Sequence, residues 1–139
     1  MSHSINRNKL ASKLEKVLHR NPAYAVDAYG FVLEALHFVV DRLPEARHIT
    51  GKELLEGIRD MGMDHYGPMA PTVFKHWNIR NTEDFGSIVF RLVEVGLLGK
   101  TEDDNIDDFK DVFSFTEAFK WRGVTLNAEG PYLDLSIPN

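Results

Sequence analysis

The chain has 139 residues, 43% of them hydrophobic and 27% charged, with a net charge of −5 and no cysteine. That length and balance fit one folded domain over 1–139 and exclude a disordered chain, whose apolar content could not offset the entropy lost on ordering. The lack of cysteine excludes a disulfide framework, a thiolate nucleophile and any cysteine-held zinc or iron–sulfur group, and it fits a reducing compartment.

A bilayer span needs roughly 18 apolar residues in a row. The longest run here, Phe31 to Val40, is broken by Glu34 and His37. Met1-Ser2-His3-Ser4-Ile5-Asn6 has no apolar stretch of the kind a leader peptide carries. A cytoplasmic protein without a membrane role is expected.

Leu10, Leu14, Val17 and Leu18 recur at helical spacing among Lys9, Lys13, Glu15 and Lys16, which predicts an amphipathic helix from Asn6 to Arg20, stopped at Asn21-Pro22. From Ala25, the stripe Tyr29, Val32, Leu33, Leu36, Val39, Val40 and Leu43 predicts a central helix ended by Pro44. Thr50-Gly51-Lys52-Glu53 has the form of a capping box and should open a third helix to Tyr66, where Gly67-Pro68 supplies a stop. A short fourth helix passes through Val73, Phe74 and Trp77. Asn81 or Thr82 caps a fifth, which runs from Asp84 to Val95 and ends on Gly96.

Beyond Gly96 the periodicity changes. An acidic stretch from Gly99 to Asp111 leads into Phe109, Phe113, Phe115 and Phe119, which a small domain buries together. Val124 and Leu126, then Leu133, Leu135 and Ile137, alternate around a turn and predict a C-terminal hairpin. The expected architecture is therefore mainly α with a minor β component (α+β): a compact helical core with a short β wing and that hairpin.

Four segments, Glu53-Leu54-Leu55-Glu56-Gly57-Ile58-Arg59, Tyr66-Gly67-Pro68-Met69-Ala70, Glu83-Asp84-Phe85-Gly86-Ser87-Ile88-Val89-Phe90 and Thr101-Glu102-Asp103-Asp104, with Ala28 to Leu36 before them, resemble an uncharacterised family of small bacterial proteins. The family has no assigned activity, so the resemblance implies one cytoplasmic domain and transfers no site residue. The order of capped helix, turn, second helix and Leu92-Val93-Glu94-Val95-Gly96-Leu97-Leu98-Gly99-Lys100 is also similar to winged-helix domains, which would imply a recognition helix followed by a β wing.

Charge opposes DNA binding. The helix that would read bases carries Glu83, Asp84 and Glu94 against Arg91, and the wing carries six acids against Lys100 and Lys110. Asp103, Asn105 and Asp107 begin like a calcium loop, yet Asp108 stands where glycine is needed and Ser114 where a bidentate glutamate is needed. No histidine pair has the four-residue spacing of one helical face; His65 and His76, with Asp64, could meet across the Gly67-Pro68 turn as a metal site or an enzyme centre. Gly99-Lys100-Thr101 lacks the rest of a phosphate loop, and Ser87 lacks a nucleophile-elbow frame. No cofactor is expected.

Interaction remains. The first twenty residues hold Arg7, Lys9, Lys13, Lys16 and Arg20 against Glu15, whereas 101–111 hold Glu102, Asp103, Asp104, Asp107, Asp108 and Asp111 against Lys110. Lys9, Lys13 and Lys16 with Glu102, Asp103, Asp104, Asp107 and Asp108 form the predicted interaction surface, paired within the monomer, between protomers or with a partner protein. The function expected from the sequence is a non-catalytic interaction or regulatory module; a metal-binding domain or enzyme and a winged-helix DNA-binding regulator are the alternatives.

Overall fold

In the computed structural model of the chain, which describes residues 7–120, six α-helices share one hydrophobic cluster. They are α1 (Arg7–Arg20), α2 (Val26–Val40), α3 (Gly51–Tyr66), α4 (Ala70–His76), α5 (Thr82–Glu94) and α6 (Phe115–Ala118). No described helix is long and apolar enough to cross a membrane.

The helix ends follow the local chemistry. The Thr50 hydroxyl accepts from the Glu53 amide at 3.1 Å, and the Glu53 carboxylate accepts from the Thr50 amide at 2.8 Å, which completes the capping box that the sequence predicts. Gly67 lies at φ 55°, closes α3, and passes the chain through a 3₁₀ turn over Gly67–Met69 into α4. At the end of α5, Gly96 lies at φ 83°; its amide donates to the Val93 carbonyl and the Leu97 amide donates to the Leu92 carbonyl, the paired bonds of a Schellman stop. By contrast α2 ends at Val40, before the predicted Pro44. Asp41, Arg42 and Leu43 continue in turn-type bonds to His37, Val39 and Val40.

α2 is the centre of the molecule and packs most extensively on α3 and then on α5, with Ala28, Tyr29, Val32 and Ala35 fully buried. The phenylalanine run is core, as expected: Phe109, Phe115 and Phe119 are buried, and Phe113 is half-buried. Phe115 and Phe119 meet Phe74 edge-on at 5.4 and 5.5 Å between ring centroids.

The predicted β component is corrected here. Among the described residues there is no strand, so the short β wing and the winged-helix-like arrangement are absent. The acidic stretch instead winds through turns and a 3₁₀ helix, Ile106–Phe109. Its side chains capture backbone amides that a wing would have offered to a ladder. Asp104 accepts from the Thr101 amide at 2.8 Å, Asp108 from the Asn105 amide at 3.0 Å, and Asn105 from the Asp107 amide at 2.9 Å. Local side-chain bonds of this kind compete directly with sheet formation. The hairpin predicted over Val124 to Ile137 lies outside the described residues.

Candidate functional site

The predicted site residues are distributed over several surfaces. On α1, the Lys13 ammonium lies 3.5 Å from the Gly96 carbonyl and Arg20 pairs with Glu94 at 3.8 Å, so both cations meet the C-terminal end of α5, where the helix dipole favours them. Lys9 and Lys16 are exposed. The acidic stretch is anchored elsewhere, on α5 and α3 through Phe109. Glu102, Asp103, Asp107 and Asp108 are exposed and Asp104 is half-buried, with Asp104 and Asp108 engaged as caps. Asp107 and Asp108 line an open recess against Lys52 and Arg59 of α3, a surface of mixed sign.

His65 and His76 line two different recesses, and Asp64 is exposed on neither wall. Among the described residues, no three His, Cys, Asp or Glu side chains come together as a metal-binding group.

His65 lies instead in a recess of defined chemistry. Where α2, the end of α3 and the end of α4 converge beside α1, they enclose an open recess of about 540 Å³. Its floor is aromatic. The Phe31 ring lies 5.6 Å from Trp77, 6.1 Å from Tyr66 and 6.5 Å from His65, and Tyr66 stands edge-on to Trp77 at 6.0 Å. Asp27 and Glu34 supply its charge from α2, and Leu14 of α1 and Val26 complete the wall.

The placement follows from helical geometry. Residues 27, 30, 31 and 34 repeat at three- and four-residue steps and so share one face of α2, with the two carboxylates separated by about 10 Å along the axis. Gly30 lies between them, and a Cβ built there would meet no atom within 4 Å. Burial, then the charges of Glu34 and Asp27, hold the Tyr66 hydroxyl above its ordinary range. No lysine or arginine is found among the described residues that line it.

Just before α2, Tyr24 donates to Asp84 at 2.6 Å and the Arg91 guanidinium lies 4.9 Å from the Tyr24 ring centroid. Burial and the Asp84 carboxylate push the Tyr24 hydroxyl up to about 12. Asp84 also accepts from the Arg80 amide at 2.8 Å, so this network fixes the entry to α5 and leaves its carboxylate fully occupied.

Set against protein-family models, curated proteins and solved structures, the chain matches none. The recess is therefore read from its own chemistry. The sequence analysis put His65 in a metal or enzyme centre with His76 and Asp64, not in this recess, and did not single out Asp27, Gly30, Glu34 or Tyr66 as site residues. The available signal was a glycine and two acids on one face of an otherwise apolar helix.

Proposed function

We propose that this chain is a non-catalytic protein-interaction module, a single domain working in the cytoplasm, that seats part of a partner protein in the aromatic and acidic recess on α2. The observation that carries this reading is that Asp27 and Glu34 line the same open recess as the Phe31, Tyr66 and Trp77 rings. Aromatic side chains bordered by charge are what protein interfaces concentrate at their centres. Val26, an apolar side chain 46% exposed at the same wall, adds surface that association would cover.

The exposed acids Glu102, Asp103, Asp107 and Asp108 and the basic side chains Lys9, Lys13 and Lys16 set the orientation and rate of encounter in this proposal, in the manner of complementary rims. Duplex DNA is not the partner. α5 presents Glu83 and Glu94 as exposed acids, and the acidic stretch beside it would repel phosphate.

A photo-crosslinking amino acid at Val26, introduced into the full chain in the cell that encodes it, tests the reading. A single defined adduct, competed by excess unlabelled protein and lost on Glu34→Lys, is the expected result. No adduct, or one indifferent to Glu34→Lys, overturns it, and an adduct of twice the chain's own mass assigns the recess to self-association.

A further inference from the structure

Resting on that reading, we propose that the recess receives an arginine side chain of the partner, its guanidinium stacked on the half-buried Tyr66 ring and hydrogen-bonded to the carboxylate of Glu34 or Asp27. Three observations converge on a cation of this shape. The half-buried Tyr66 ring, backed by the buried Phe31 and Trp77 rings, has a face of negative quadrupole potential, which attracts a weakly hydrated cation. The only formal charges described on its wall are the two carboxylates of α2. Finally, the site has room: Gly30, in the interior of α2, could carry a Cβ without touching any neighbour, yet the helix holds there the residue that weakens it relative to alanine.

Arginine fits this combination better than lysine. Its guanidinium is planar and stacks on aromatic faces, and its fork donates two parallel bonds to one carboxylate, whereas an ammonium is a compact, strongly hydrated point charge. Carboxylates about 10 Å apart along α2 flank the ring floor, so that a side chain entering from either end reaches one of them. His65 stands edge-on to Phe31 and Tyr66 and closes the side of the recess formed by α3.

The test uses the full chain and two blocked tripeptides, acetyl-Gly-Arg-Gly-amide and its citrulline counterpart, which has nearly the same shape without the charge. Amide and indole NMR signals of Gly30, Tyr66 and Trp77 should shift saturably with the arginine peptide. Citrulline should bind about tenfold more weakly, a difference on the scale of a desolvated cation–π and charge-assisted contact. Glu34→Gln should weaken the arginine peptide several-fold. Gly30→Met, whose side chain enters the open space, should abolish binding while the melting temperature is kept or raised. Equal binding of citrulline, no binding of either peptide, or arginine shifts that survive Gly30→Met each overturn the proposal. If the Val26 adduct still forms and is lost on Glu34→Lys in any of these cases, the interaction reading stands and the arginine assignment alone falls.

Discussion

Thr82 donates its hydroxyl to the Phe109 carbonyl at 2.6 Å and accepts the Val112 amide at 3.2 Å, from a position that is 1% exposed. One buried side chain thus satisfies two backbone groups of the acidic stretch and fixes that stretch to the start of α5. Thr82→Val keeps the shape and removes both bonds. It should cost about 2–3 kcal/mol, the scale for leaving buried polar groups without partners, whereas Thr82→Ser should retain most of the stability. Urea midpoints of the two variants measure the difference; equal midpoints would mean that the hydroxyl does not anchor the stretch.

Two glycines should respond to alanine with opposite signs. At Gly86 a Cβ would lie 2.8 Å from the Cβ of Phe109 and 2.9 Å from its Cγ, the root of a side chain that cannot swing away. Gly86→Ala should therefore destabilise by about 1–3 kcal/mol through overpacking. At Gly30 the new methyl meets open space, and Gly30→Ala should stabilise α2 by about 0.5–1 kcal/mol. Thermal melts of the two variants side by side give the comparison.

The cap of α3 sets an acid dependence. The Arg47 guanidinium lies on Glu53 with bonds of 2.8 and 3.1 Å, and with the Thr50 amide it holds the Glu53 carboxyl down at about 2, from an ordinary 4.5. A depressed acid contributes stability that is present above the unfolded value and lost as pH falls through the folded one. The gap between wild type and Glu53→Gln should be complete at neutral pH and close between pH 4.5 and 2. Thr50→Ala should cost about 1 kcal/mol at neutral pH. Chemical denaturation across that range checks both, and a gap independent of pH would separate Glu53 from the cap.

Tyr29 is fully buried in α2, and its hydroxyl has no hydrogen-bond partner among the described residues. Removing a buried hydroxyl that lacks a partner relieves a desolvation cost, so Tyr29→Phe should raise stability by up to about 1–3 kcal/mol. A lower melting temperature for this variant would show that the hydroxyl is satisfied after all.

Helix ends were legible in the sequence because they depend on a few adjacent residues: Thr50 with Glu53, Gly67 with Pro68, and Gly96. The recess was not legible, because Leu14, Glu34, His65 and Trp77 come together only when four helices pack. The wing failed for a related reason. Phe109 gives the acidic stretch the look of a strand returning to a sheet, but its ring fits between Gly51 of α3 and Gly86 of α5, a cleft that no local pattern announces. Once that ring is seated, the neighbouring carboxylates turn inward on their own amides, which are then not offered to a ladder.

Leu14 connects the recess to the seating of α1. The same helix is held by an apolar stripe in which Val17 is buried, and by two exposed polar ties, Lys13 to Gly96 and Arg20 to Glu94. Those ties weaken as ions screen them, over a range that shrinks from about 10 Å at 0.1 M salt to about 3 Å at 1 M. One wall of the cavity is therefore held in part by contacts that salt weakens. Faster amide hydrogen exchange in α1 at high salt, with α2 and α3 unchanged, would register that weakening, and it would make the ionic strength of the surroundings a control on how wide the recess stands.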